Sequence, residues 1–368
     1  MKTIALAGLG HTHLEVVRRF RERPPADTRI VCLSDSPVAA YSGMLPAVLA
    51  GQAPESDWVI DLAALCEAPH IELIVEPLKS LSADAHTLTT ESGRTVEFNV
   101  ASLDVGSTPA ETFSSHPASV SLKPMQTFLD RLRGQIVGRD GSDRITVVLV
   151  GGGAGGVELA YTLPEFVRDQ TDRECDVWLV EREGHLLPGL DKKTGHNVAD
   201  ELRERGVRVR TGTQLAAGEG HDVTLPNGQS IEADVLIELT GAAGPAVLKN
   251  TDLPLSDDGF VEIDDTLQVV TGGPVFAVGD CATNPANPWP KSGVYAVRQA
   301  GVLADNLKSF LFVNPLKDFK PQKAALKLFN RGDGTAWGVW HDQLVGGKWV
   351  YQWKKQLDRR HVKKYQKA

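Results

Sequence analysis

Two stretches of this chain, more than a hundred residues apart, spell out the same local structure. One is "TIALAGLGHTHLEVVRRF", beginning at Thr3, and the other is "ITVVLVGGGAGGVELAYTL", beginning at Ile145. In each, a short apolar run meets a Gly-x-Gly turn and then an amphipathic segment with helical spacing. A strand apolar on both faces must be covered on both, which calls for a parallel sheet flanked by helices. The repeat therefore predicts an α/β chain organised round two such sheets. No other internal repeat and no low-complexity tract is present.

The second copy is complete. In Gly151-x-Gly153-x-x-Gly156 the first glycine makes a tight turn and the second lets backbone approach a pyrophosphate. The third lets the helix pack on the strand, and the helix N-terminus favours the phosphate charge. The next strand, "DVWLVE", ends in Glu181, placed to accept hydrogen bonds from a ribose 2′-hydroxyl and to repel a 2′-phosphate. NADH is thus preferred over NADPH, with Arg182 as the opposing feature. The first copy keeps Gly8 and Gly10, but His13 stands where the third glycine belongs. A side chain there should push helix from strand or force a local adjustment. The expected acid is displaced too: Ser34 ends the partner strand and Asp35 follows it.

A third element supports the first loop. In "GGPVFAVGDCATNPANPWPKSGVYAVRQAG" a strand ends at Gly279-Asp280, and a helix N-terminus follows near Gly293 and Val294. A carboxylate at the sheet's carboxyl edge and amide donors close by suit an isoalloxazine ring, whose reduced anionic form needs a dipole near N1 and the C2 oxygen. The reading is α/β with two Rossmann-like dinucleotide-binding domains, one for FAD and one for NAD(P)H. A small antiparallel meander and a short α+β C-terminal domain complete it.

At 368 residues the chain has room for two domains and an extension. A net charge of -8 argues against nucleic-acid partners. Cys32, Cys66, Cys175 and Cys281 are scattered without metal-like spacing, which fits a reducing cytoplasm. No signal-peptide pattern opens the chain, and no apolar run approaches the roughly 20 residues of a membrane helix.

Chain order predicts an interrupted first domain. Residues 1–112 and 241–312 form the FAD-binding parts, 113–240 the NAD(P)H-binding domain, and 313–368 a C-terminal interface domain with a basic tail. Within these, "IELIVEPL", "HTLTTES" and "TVEFNV" suggest the meander, Arg139 to Arg144 a polar turn, and Lys291 to Phe310 a helix. "TAWGVWHD" and "KWVYQW" alternate like strands. The tail "KWVYQWKKQLDRRHVKKYQKA" carries eight Lys and Arg residues against the single Asp358. Its Trp349, Trp353 and Leu357 share one face if the segment is helical, which suits peripheral contact with the inner face of an anionic membrane.

Together, "GLGHTHLEVVRR", "YSGMLPAVLAG", "SLDVGSTPA", "DDTLQ", "VFAVGDCA" and "KSGVYAVRQAG" resemble the pyridine nucleotide-disulfide oxidoreductase superfamily. Within it they resemble the NADH dehydrogenase-like FAD proteins sometimes fused to selenide, water dikinase. The resemblance spans essentially the whole chain. It implies FAD at the first loop, with His11, His13, Tyr41, Ser42, Met44, Gly106 and Asp280 about the cofactor. His11 and His13 read as structural rather than catalytic. It also implies Glu158 near the nicotinamide, as in type II NADH dehydrogenases, and Lys291 beside the flavin. Gln299 matches the second of the two glutamines that border the quinone site there, whereas Tyr295 replaces the first. The region "YSGMLPAVLAG" lacks the cysteine pair of disulfide reductases, so a thiol relay is excluded.

The implied function is an NADH dehydrogenase that passes hydride to flavin and electrons to a separate acceptor. Three outlets stay open at this point: a quinone, a soluble redox protein or small acceptor, and slow turnover in a redox sensor akin to apoptosis-inducing factor. The class also admits a homodimer.

Overall fold

The computed structural model describes residues 1–109, 113–138, 143–322, 326–340 and 343–366. Residues 110–112 at the expected first boundary, 139–142 of the polar turn, 341–342 at the end of "TAWGVWHD" and 367–368 of the tail lie outside the described residues.

The first repeat forms strand β1 (Lys2–Ala7), helix α1 (His11–Glu22) and strand β2 (Thr28–Ser34). With β3 (Ile71–Val75), β4 (Val100–Leu103) and β5 (Val275–Ala277), the strands make a five-stranded sheet ordered β5-β4-β1-β2-β3. Every neighbouring pair is parallel, with Ile4 opposite Ile30 on one side and Val100 on the other. The second repeat forms β6 (Arg144–Val150), α2 (Ala154–Thr171) and β7 (Glu174–Val180), joined in a four-stranded parallel sheet by strands Arg208–Arg210 and Val235–Glu238. Ile4, Leu6, Val147 and Leu149 have no solvent exposure, as two-sided cover of a parallel sheet requires.

The expected meander begins later than its sequence suggests. Ile71–Val75 pairs with β2 in the large sheet, and only Leu78–Ser82, Thr87–Thr90 and Thr95–Glu97 form the antiparallel ribbon. Isolated alternation could not distinguish a parallel edge strand from a hairpin arm. The late helix α3 runs Gly293–Leu311, as expected within two residues.

The tail departs most from expectation. Lys348–Gln366 is one helix, α4, so "KWVYQW" is not a strand. Val350, Tyr351, Lys354, Asp358, Val362 and Tyr365 are buried, while Trp349, Trp353 and Leu357 stay exposed on the far side. The helix is fastened by Lys364 to Glu15 at 2.7 Å. Burial alone would raise the Glu15 carboxyl, but Arg18, Lys364 and Arg19 outweigh it and hold the group near about 2. No helix among the described residues is long and apolar enough to cross a membrane.

Candidate functional site

In the first sheet β2 and β4 flank β1, so the order of strand succession reverses at the β1–β4 crevice, where ligands of open α/β sheets bind. Gly8 turns with φ of +81°, and a Cβ there would lie 2.4 Å from the Asp104 carbonyl oxygen. A Cβ on Gly10 would lie 2.5 Å from the Asp104 carboxylate. That carboxylate, 4% exposed, accepts the Thr12 and His13 amides at 3.0 Å each. It therefore caps the N-terminus of α1 from below. Burial pushes Asp104 up to about 7, with nearby Asp280 adding to the rise and the two amides opposing it.

His13 resolves the missing glycine. Its Nδ1 hydrogen-bonds the Gly8 carbonyl and its Nε2 meets the Ser102 hydroxyl at 2.8 Å. A carbonyl only accepts, so Nδ1–H donates and Nε2 accepts from Ser102, which defines a neutral imidazole. Burial drives His13 down to about 4, against the opposing pull of the Gly8 carbonyl. Helix α1 is thus joined to its strand by a ring where α2 is joined by direct contact.

Around this loop stand most of the other expected residues. Asp280 follows β5, 3.9 Å from Lys123 Nζ, which itself donates to Ser107 at 2.7 Å. The Gly279 amide donates to Gln299 Oε1 at 2.7 Å, so the fully buried Gln299 braces the Gly-Asp turn, while its Nε2 has no hydrogen-bond partner among the described residues. Thr12 Oγ1 donates to the Ala296 carbonyl at 2.7 Å, joining α1 to α3. A Cβ on Gly293 would sit 3.6 Å from the His11 ring, and His11 Nε2 is buried without a partner. Gly106, at φ +72°, faces open space. Ser34 is buried, whereas Asp35, Ser42 and Val294 are exposed. Lys291 donates to the Ala282 carbonyl and sits over the Phe260 ring at 4.1 Å, an engaged cation rather than a free one.

The second loop is built from backbone. Gly151 has φ of +117°, and a Cβ on Gly156 would fall 1.9 Å from the Gly151 carbonyl oxygen. Among the described residues no side chain caps α2 at Gly153, which leaves its first amides to an anion. Glu181 accepts the Gly152 amide at 2.6 Å and the Glu183 amide at 2.8 Å. Arg182 is largely exposed and lies 3.7 Å from Glu183.

The two units meet at Glu158, on the first turns of α2. Its Oε1 accepts the Asn330 amide at 2.8 Å and lies 3.7 Å from Lys354 of α4. Lys354 donates to Asp358 at 3.0 Å and to the Gly43 carbonyl at 3.0 Å, beside buried Met44. Tyr41 donates to Asp358 at 3.1 Å and stacks on His361 at 4.3 Å. Burial raises Glu158 and Asp358 against the pull of Lys354; burial lowers Lys354, but the two carboxylates outweigh it and hold it charged. Sequence reasoning missed Asp104, Lys123, Lys354 and His361. One signal was available: Asp358, the lone acid in the basic tail, stands four residues after Lys354, the spacing of a helical ion pair.

All four cysteines are free. Cys281 is fully buried, its thiol pushed up to about 12 chiefly by that burial, which suits an inert apolar role. The chemistry of the first crevice fits FAD: close backbone approach at Gly8 and Gly10, the unpartnered His11 Nε2, Asp280 for ribitol hydroxyls and the N-terminus of α3. The uncapped α2 with Glu181 fits a nicotinamide dinucleotide.

Fold and site define a flavoprotein-like architecture with two glycine loops, each opening a helix after a strand of a parallel sheet. The pyridine nucleotide-disulphide oxidoreductase family model matches residues 3–300, and the chain belongs to that family. It is 30% identical over 190 residues to the type II NADH:quinone oxidoreductase of Haemophilus influenzae, covering 48% of this chain and 43% of that protein. The chain thus matches less than half the length of that relative. Its fold is similar to the sulfide:quinone oxidoreductase of Aquifex aeolicus, with TM-score 0.81 at 20% identity over 100% of this chain and 92% of that one. It is also similar to NDH2 from Plasmodium falciparum, with TM-score 0.81 at 12% identity over 99% and 97%.

Proposed function

We propose that this chain is an FAD-dependent NADH dehydrogenase whose electrons leave to a quinone. The observation that carries the reading is the convergence at Glu158, where the second-loop helix meets the Tyr41–Met44 segment of the first domain under α4. In this reading residues 1–112 and 241–312 bind FAD, 113–240 bind NADH, and 313–368 join the two. FAD, when bound, would supply two-electron redox chemistry between NADH and the acceptor.

The protein's part is positioning and proton supply. Gly151, Gly153 and Gly156 bring backbone to the NADH pyrophosphate, and Glu181 engages the adenosine ribose. Gly8, Gly10, Gly106, Gly279, Asp280 and Gly293 do the same for FAD. Reduction of a quinone consumes two electrons and two protons, of which the hydride accounts for both electrons and one proton. Glu158, raised by burial and set beside Lys354, is suited to hold the second proton. Lys354, held by Asp358, keeps positive charge at this junction.

The acceptor reading draws on the names of the relatives and on α4. The Trp349 and Trp353 rings lie 6.5 Å apart at 15° on its exposed face, next to lysines and arginines, as interfacial anchors do. Tyr295 favours a second reading, a soluble redox protein or small acceptor. It replaces the first glutamine, and its hydroxyl donates to the Gln322 carbonyl at 3.3 Å, tying α3 to the following segment. Anaerobic titration of the flavin-loaded protein with NADH, then with NADPH, tests the core reading. Rapid bleaching by NADH supports it, slow bleaching with a long-wavelength band supports a sensor, and a protein that takes up no FAD overturns it. Turnover of a soluble quinone and binding to anionic vesicles then separate the two acceptors.

A further inference from the structure

We propose that Asp104 governs flavin-dinucleotide affinity by occupying, from inside the protein, part of the helix terminus that the pyrophosphate approaches from outside. The proposal rests on the FAD reading of the first loop. An unmodified loop of this type offers the phosphate all the free amides at its helix N-terminus. In α1 the Thr12 and His13 amides are both spent on Asp104, at 3.0 Å each, and Leu14 donates back to Gly10. The amides of Gly10 and His11 remain for a ligand. A buried carboxylate thereby stands behind the site that must receive a doubly charged group.

The surroundings give this carboxylate no compensating cation. Among the described residues no Lys or Arg forms an ion pair with Asp104. From α1 it is faced by His13, which burial lowers to about 4 and so leaves neutral near pH 7; burial also lowers His11 on the same turn. Asp280 and Cys281 face it after β5, Asp280 adding negative charge. Lys123, the nearest lysine, is directed at Asp280 and Ser107. The glycines leave no alternative seat, since Gly8, Gly10 and Gly279 all crowd its atoms within contact distance.

Protonated, Asp104 keeps its place without opposing the phosphate; ionised, it cancels part of the field that α1 would offer. Its position near about 7 puts that change in the neutral range. FAD binding should therefore take up protons around pH 7.5 and weaken as pH rises from 6 to 8.5.

The test measures dissociation constants of FAD and of riboflavin, which lacks the pyrophosphate, by flavin fluorescence quenching on cofactor-stripped protein between pH 5.5 and 8.5. Calorimetry in two buffers of different ionisation enthalpy reads the proton uptake. The expected result is at least a fivefold loss of FAD affinity across this range, with riboflavin flat. Asp104→Asn should bind FAD at least fivefold tighter than the wild type at pH 8, with no proton uptake. Should the amide variant fold poorly, Asp104→Ser and the proton uptake of the unaltered protein carry the test. Equal FAD affinity at all pH values with no proton uptake overturns the proposal while leaving the FAD reading intact. Absence of FAD binding at every pH overturns the reading beneath it.

Discussion

The two nucleotide loops reach one architecture by opposite means. The second is made of backbone: Gly156 lies so close to Gly151 that a Cβ would sit 1.9 Å from its carbonyl oxygen, and the helix begins without a side-chain cap. The first fills the same places with side chains, His13 at the joint between helix and strand and Asp104 at the helix terminus. A backbone loop depends on the absence of atoms. A side-chain loop depends on the protonation state of the atoms it has. The difference teaches that a missing glycine can mark a substituted joint rather than a lost site.

Exchanging the joints gives the largest expected effect. Gly156→His should abolish NADH binding, because the second loop has no counterpart of Ser102 and no space beside the Gly151 carbonyl. FAD uptake should persist in that variant. Fluorescence titration with NADH measures the first and the visible spectrum the second. Wild-type NADH affinity would end the claim that the loops differ in kind.

Lys354→Met attacks the point where the units meet. It leaves Glu158 and Asp358 buried without their cation, a change that costs about 3–5 kcal/mol in comparable pairs. Thermal melting should register this, and reduction by NADH should slow even where FAD is retained. Unchanged melting would mean that α4 is not held by this network.

His13→Gly, the formal restoration of the motif, should destabilise the protein by about 2–4 kcal/mol through a cavity and unmet groups at Ser102 and Gly8. The unaltered ring also predicts a pH dependence. Its folded value of about 4 lies below the ordinary histidine value of 6.5, so the unfolded chain takes up the proton first. Stability from this group is present above pH 6.5 and is lost as pH falls towards 4, by on the order of 3 kcal/mol. Denaturant melts across that range should show the loss in the wild type and a shallower one in His13→Gln.

What the sequence made legible follows from the same contrast. Both sheets could be read because β-branched runs and glycine turns act locally, as in Ile145–Val150 with Gly151. The displaced acid at Asp35 was legible too, one residue beyond the end of β2. Asp104 was hidden, because its role arises only when β4 arrives beside β1 from some ninety residues away. The tail misled for a related reason: "KWVYQW", rich in aromatic and β-branched residues, reads like a strand. The partners that make the segment a helix, Glu158, Gly43 and Glu15, lie in three distant parts of the chain.

The smallest effect concerns the acids that follow each loop's partner strand. Glu181 is 8% exposed and is held by the Gly152 and Glu183 amides, so the carboxylate proposed to engage the ribose is fixed in place. Asp35 is exposed and accepts only a 3.4 Å contact from Gln126. Removing the fixed acid should matter and removing the loose one should not. Glu181→Ser should weaken NADH by about tenfold, the loss of one charge-assisted hydrogen bond, while relieving the repulsion of a 2′-phosphate. Asp35→Ala should leave FAD retention within about twofold, since an exposed polar contact contributes little. Steady-state kcat/KM for NADH and NADPH, with flavin content measured alongside, decides both. If Glu181→Ser keeps its NADH preference, the neighbouring Arg182 and the loop backbone set cofactor choice; if Asp35→Ala sheds its flavin, the first loop resembles the second more closely than its side chains suggest.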